Sequence, residues 1–129
     1  MESKLFTPYK LGPVTLRNRT IRSAAFESMG KDFGPTQQLK DYHVAVARGG
    51  IGMTTLAYAA VCRSGLSFNK QLWLRPAIVP GLRDITDAIH REGAAAAIQI
   101  GHCGNMTHWT TAGQMPIGAS SGVNLYAYT

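Results

Sequence analysis

The sequence predicts an α/β fold built on a parallel sheet. Apolar runs of strand length alternate with segments of helical periodicity, in the order strand, helix, strand, helix, strand. Two helix-stop signals, Gly49-Gly50 and Gly93, each lead directly into an apolar run. The stretch Ala94–Gly104, AAAAIQIGHCG, reads as a continuous buried strand breaking into a polar, Gly-punctuated loop. Parallel strands joined in this way need right-handed crossovers, which leaves an open doubly wound sheet or a (β/α) barrel.

The elements follow in order. Leu5–Leu16, LFTPYKLGPVTL, holds apolar residues around a Leu11-Gly12-Pro13 turn and predicts a hairpin or cap, of the kind that plugs the bottom of a barrel. Thr20–Phe26 reads as the first buried strand, in which Arg22 must find a partner or an edge. Glu27–Pro35 is a polar loop. Thr36 is an N-cap for a helix to about Arg48, with Leu39, Tyr42, His43 and Val46 at helical spacing. Ile51–Ala57 predicts the second strand. The preceding glycines lie where a helix hands over to a strand, the reverse of a dinucleotide-binding turn.

Ala59–Val79 is a long connection, a length at which loops are usually functional. Pro80 suits the first turn of a second helix, with Leu82, Ile85, Ala88 and Ile89 on its apolar face. The third strand then ends at Gln99, with His102, Cys103 and Asn105 crowded after it. In parallel α/β architectures the carboxyl ends of the strands build the site. Residues 105–129 show turn chemistry and predict no helix. A full barrel has eight strands and takes about 250 residues. The pattern in these 129 residues therefore predicts a piece of a larger fold.

Composition narrows the functional classes. Thirteen Lys and Arg against seven acids give +6, but the basic residues are scattered and form no aromatic-interleaved stripe, so no nucleic-acid partner is expected. No long apolar run or signal-peptide pattern occurs, so no membrane association is expected. Two cysteines, Cys62 and Cys103, fit no zinc spacing; reduced thiols in a cytoplasmic protein are the expectation, with no metal. His102, Cys103 and His108 lack a fourth ligand. His43 on its helix face predicts a satisfied core histidine, and His90 a partner for terminal carbonyls.

A family resemblance rests on segments in a fixed order. Leu5-Phe6-Thr7-Pro8, Leu16-Arg17-Asn18-Arg19 and Arg22-Ser23-Ala24 resemble the opening of the old yellow enzyme family, the NADH:flavin oxidoreductases. Gly50-Ile51-Gly52-Met53 resembles its second strand, and Pro80-Gly81-Leu82 with Thr86–His90 and Gly93 its second helix. Gln99-Ile100-Gly101-His102-Cys103-Gly104 resembles its Q-L-x-H-x-G signature. The resemblance runs from about Leu5 to Ser121 and implies the N-terminal part of an FMN-binding (β/α)8 TIM barrel. That part is a hairpin cap plus about three strands and two helices, so residues 1–129 form a partial domain incomplete at its C-terminus.

The resemblance also implies a function. Hydride passes from NADH or NADPH through FMN to an activated C=C bond of a small enone or enoyl substrate. Ala24, Ala25 and Phe26 are implied to approach the isoalloxazine, Tyr58 to contact the flavin from the end of the second strand, and Gln99 to read its pyrimidine edge. A Gln amide offers the donor and acceptor that edge needs. Phe26 or Ala25 stands where many members carry Thr or Cys, which bears on redox tuning. Asn105 replaces a common Arg, and Tyr58 is larger than the residue in many relatives.

No catalytic residue falls in this segment: the family's substrate-holding His/His or His/Asn pair, protonating Tyr and phosphate site come later in the chain. The fragment alone is expected to be inactive, its partner being the remainder of the barrel in cis or in trans. The alternatives are a non-catalytic fragment and a subunit that completes a barrel with a separate chain. Homo-oligomerisation is left open.

Overall fold

In the computed structural model, which describes residues 3–122, 124 and 125, a hairpin precedes a parallel sheet carrying two helices on one face. Strands β1 (Tyr9–Leu11) and β2 (Val14–Leu16) pair antiparallel, Tyr9 opposite Leu16, around Gly12 at φ 56°. Then come β3 (Ile21–Arg22), α1 (Gln37–Arg48), β4 (Met53–Ala60), β5 (Leu72–Trp73), α2 (Val79–Arg91), β6 (Ala95–Gly101) and α3 (Trp109–Ala112). β4 is central and every pairing to it is parallel. β3 lies beside its start, β5 beside its end and β6 along its other edge. The order β3, α1, β4, α2, β6 is the expected one, with β5 inserted before α2 and α3 added after β6. No helix among the described residues is long and apolar enough to cross a membrane.

Both helices form where the sequence places them. Thr36 caps α1, its hydroxyl accepting from the Leu39 amide at 3.2 Å while donating to the Met29 carbonyl at 2.6 Å. Pro80 sits in the first turn of α2, where its missing N–H costs nothing. Leu39 and Ala47 of α1 meet Ile85 and Ile89 of α2 over Leu56, Ala59, Leu72 and Ala94, all buried. This core lies between the helices and one face of the sheet.

Several boundaries differ from expectation. The first strand is two residues long rather than Thr20–Phe26, and Ile21 is exposed rather than buried. Past Thr54 the edge of β4 is satisfied by side chains: Arg22 Nη1 donates to the Thr55 carbonyl at 2.7 Å, and the Ala57 amide donates to Glu27 Oε2 at 3.1 Å. These contacts replace the ladder that a longer β3 would make. β4 runs to Ala60, three residues past the expected end, because Ala59 and Ala60 pair with both β5 and β6 and have room to do so. The long connection is therefore partly ordered: a 3-10 turn at Arg63–Gly65, then β5, then a second at Pro76–Ile78. The predicted helix-free tail contains α3, a single turn started by His108 and stopped by Gly113 at φ 75°. Residues 123 and 126–129 of that tail lie outside the described residues.

β6 is not covered on both faces. Ala94 and Ala96 pack with the core, but Ile98 is 36% and Ile100 57% exposed on the same alternation. Among the described residues β6 pairs with β4 alone, so its outer edge is unpaired.

The segment before β3 ties the sheet to both helices. Arg17 donates from Nε to the Ile51 carbonyl at 2.9 Å, from Nη1 to the Glu92 carbonyl at 2.8 Å, and from Nη2 to the Ala47 carbonyl. The guanidinium thus collects the ends of α1 and α2 and the entry to β4, where carbonyls lack helical partners. Asn18 donates to the Gly50 carbonyl at 2.6 Å and accepts from the Thr20 amide and hydroxyl. A Cβ on Gly52 would stand 2.5 Å from the Asn18 carbonyl oxygen, so only glycine fits there.

Two substitutions test this clamp in the complete protein. Arg17→Ala should lower unfolding stability by roughly 2–4 kcal/mol, from three charge-assisted bonds lost at once. Gly52→Ala should cost about 1–3 kcal/mol through overpacking. Urea denaturation measures both; an Arg17→Ala protein as stable as the parent would refute the clamp.

Candidate functional site

The carboxyl ends of β3, β4 and β6 bring Phe26, Tyr58 and Gln99 to one side of the sheet. A β-bulge places Tyr58 there. Leu56 pairs with Ile98 and Ala59 with Ile100, so β4 spends one more residue than β6 over the same step. Leu56 and Ala59 both join the helix-side core, which turns the intervening Tyr58 to the other face. Tyr58 lies one residue before Ala59, where β4 begins to pair with β5, and inside β4, not after it, since the strand continues to Ala60. Gln99 likewise lies within β6, two residues before its end at Gly101.

Tyr58, Gln99, Ile100, Gly101, His102 and Cys103 line an open cavity of about 270 Å³. Gln99 is exposed, and its amide makes no hydrogen bond among the described residues. Nothing stands within 4 Å of where a Cβ on Gly101 would be, so the backbone there is open to a close approach.

The aromatic residues are held from behind. The Phe26 ring stacks on Phe68 at 4.8 Å between centroids and meets Tyr58 edge-on at 5.8 Å. The Tyr58 hydroxyl donates to Ser67 Oγ at 2.6 Å. Ala24, half-buried, and Ala25, exposed, follow the point where the β3 ladder stops at Arg22. Their backbone is therefore not tied into the sheet.

His102 bolts the loop after β6 to the loop after β4. Its Nδ1 accepts from the Gly104 amide at 2.9 Å, so Nε2 carries the proton in the neutral ring and donates to Ser64 Oγ at 3.2 Å. Ser64 lies 3.0 Å from Cys62 Sγ. The ring also presses on Gly65, where a Cβ would meet Cδ2 at 2.8 Å. The Cys103 amide donates to the Gly65 carbonyl at 3.2 Å and Cys103 Sγ to the Leu66 carbonyl at 3.2 Å. Cys62 and Cys103 are both free thiols.

Beneath this face lies a buried ionic cluster that single-residue reasoning finds only in part. Arg22 finds the partner it requires in Glu27, Nη1 to Oε1 at 2.9 Å. The guanidinium also lies 5.1 Å from the centre of the Tyr42 ring. His43 is fully buried, with Nδ1 2.8 Å from Thr54 Oγ1 and Nε2 3.3 Å from Glu27 Oε1. Glu27, whose side chain is 3% exposed, thus joins α1, β3 and β4. It was legible only as a loop acid, because its partners lie up to 30 residues from it in the chain.

The chain matches the sequence profile of the NADH:flavin oxidoreductase / NADH oxidase family over residues 4–128. It belongs to that family. The 4,4'-dithiodibutanoate disulfide reductase of Rhodococcus erythropolis is 47% identical over 100 residues, 78% of this chain and 25% of that protein. An NADPH dehydrogenase of Listeria welshimeri is 38% identical over 106 residues, 79% of this chain and 31% of that protein. An old yellow enzyme homologue from Zymomonas mobilis superposes with a TM-score of 0.84 at 24% identity, covering 93% of this chain and 34% of that one; at that identity it shows the fold alone. The chain thus spans about a quarter to a third of the length of these relatives. The fold is the N-terminal part of the family's (β/α)8 barrel, and the family is one of FMN-dependent NAD(P)H oxidoreductases.

The residues present fit that cofactor. An amide without a hydrogen bond among the described residues, beside open backbone, suits a flat, mixed donor–acceptor heterocycle. The scaffold beneath is testable: Glu27→Leu strands Arg22 and His43 and leaves the Ala57 amide unpaired. It should cost about 3–5 kcal/mol, read as a lowered denaturation midpoint in urea; an unchanged midpoint would refute the cluster's role.

Proposed function

We propose that this chain forms the flavin-side wall of an FMN-dependent oxidoreductase of old yellow enzyme type. The observation that carries this is Gln99: an exposed amide without a hydrogen bond among the described residues, on the same cavity wall as Tyr58 and open-backed Gly101. FMN, when bound, accepts hydride from NADH or NADPH and delivers it to an electrophile. Gln99 holds the pyrimidine edge through one donor and one acceptor. Ala24 and Ala25 present small side chains and unladdered backbone to the ring system, and Phe26 and Tyr58 supply apolar contact beside it.

The acceptor in this reading is a small molecule with an activated C=C bond, an enone or enoyl thioester. The 47% identical relative is named for reducing a disulfide, another two-electron acceptor, so both classes belong in the assay. The chain's own residues bind and orient; hydride acceptance by substrate and its protonation fall to the rest of the barrel. The exposed Ile98 and Ile100 and the unpaired edge of β6 support completion by further strands, in cis or from a separate chain. The protein in this reading is cytoplasmic, with both thiols reduced.

Two outcomes are expected. Residues 1–129 produced alone should retain no FMN and oxidise no NADH; a stoichiometrically yellow protein with turnover would overturn this. In the complete protein, Gln99→Ala should weaken FMN binding about tenfold, the worth of a bidentate amide contact. Fluorescence titration of the apoprotein with FMN measures it, and an unchanged affinity removes Gln99 from the site.

A further inference from the structure

Gln71 stands at the entry to β5, and its residue is only 1% exposed. Its Oε1 accepts from the Ser67 amide at 2.7 Å and from the Phe68 amide at 3.4 Å. Because both partners are N–H donors, the oxygen and not the nitrogen of the amide must point at them. The Gln71 amide donates back to the Phe68 carbonyl at 3.2 Å. Residues 67–71 are thus a closed turn wound around one buried acceptor.

The two residues whose amides Gln71 holds are the two that anchor the aromatic pair of the candidate site. Ser67 Oγ receives the Tyr58 hydroxyl at 2.6 Å, and the Phe68 ring stacks on Phe26 at 4.8 Å with 20° between planes. Phe26 and Tyr58 come from different strand ends, 32 residues apart in number, yet both are backed by neighbours on this single turn. A five-residue turn, residues 67–71, has little backbone pairing of its own to hold one geometry; a buried acceptor supplies it.

We infer that Gln71 is a positioning residue for the flavin site, setting the Ser67-Phe68 turn and through it the aim of Tyr58 and Phe26. This rests on the proposal that those two aromatic residues face FMN. Gln71 Nε2 has no acceptor among the described residues, so the positioning belongs to Oε1 alone, and a variant that keeps the oxygen should keep the function.

The experiment compares Gln71→Met, which keeps the volume and loses the acceptor, with Gln71→Glu, which keeps an oxygen at that place. Both are made in the complete flavoprotein, and the visible absorption bands of bound FMN and its dissociation constant are recorded. Gln71→Met should shift the flavin bands and weaken FMN about tenfold, and Gln71→Glu should return both toward the parent. The inference is overturned if Gln71→Met lowers only the melting temperature and leaves bands and affinity unmoved. It is equally overturned if Gln71→Glu moves them as far as Gln71→Met. A parent that holds no FMN defeats the cofactor proposal itself. A parent that holds FMN, loses it on Gln99→Ala and ignores Gln71→Met defeats the positioning role alone.

Discussion

The guanidinium of Arg17 is the constraint on which the rest of the sheet depends. It binds three carbonyls from three separate stretches of chain: Ala47 at the end of α1, Ile51 before β4 and Glu92 after α2. The Ala47 carbonyl also accepts from the Gly50 amide at 3.0 Å, so there the guanidinium takes the second lone pair of a helix-terminal oxygen. Five donors in a fixed plane can serve all three; an ammonium on a flexible stem cannot hold the same angles. With both helix ends fixed to one point, the entries to β4 and β6 are fixed too. The carboxyl ends of those strands then arrive side by side at the candidate site.

At the opposite end the same problem has an ionic solution. β3 stops after two residues, and the edge of β4 beyond it is satisfied by Arg22 and Glu27 side chains instead of backbone. Glu27 is acceptable in so dry a place because the Arg22 guanidinium lies 2.9 Å from Oε1, although Oε1 and His43 Nε2 make no hydrogen bond among the described residues. Freed from the ladder, the chain from Ala24 to Phe26 leaves the sheet where a ligand can approach its backbone. The short strand and the candidate cofactor wall are therefore one feature.

The order of elements was legible because it is local: Thr36, Pro80, Gly49-Gly50 and Gly93 each act through their nearest neighbours. The two helices accordingly begin and end within a residue or two of expectation. What the sequence hid depends on distant pairing. Thr20–Phe26 has the composition of a strand, yet its ladder is cut by contacts from Glu27 to residues 30 positions on. Ala95–Gly101 has the composition of a doubly buried strand, yet Ile98 and Ile100 lie bare. That composition is satisfied only by a layer that the described residues do not provide. Arg17 was visible as part of a motif, but its three partners were not, since the nearest of them, Ala47, lies 30 residues away.

Tyr58 shows the limit of pattern most sharply. Strict alternation from Thr54 and Leu56, both buried beneath the helices, would put Tyr58 beneath them as well. A phenol there would have to fit into the helix-side core, where the fully buried Ala59 packs with Leu56, Leu72 and Ile89. The single extra residue in β4 between Leu56 and Ala59 resolves both difficulties. It returns a small Ala59 to the helix layer and turns Tyr58 onto the face of Gln99. Bulges re-aim side chains in this way beside functional sites. The flip is held from both sides: a small Ala59 takes the place in the helix-side core, and a Ser67 hydroxyl receives the phenol on the other face. The site's aromatic wall is thus a consequence of how the core is packed, and the core can be packed this way only because the strand is irregular.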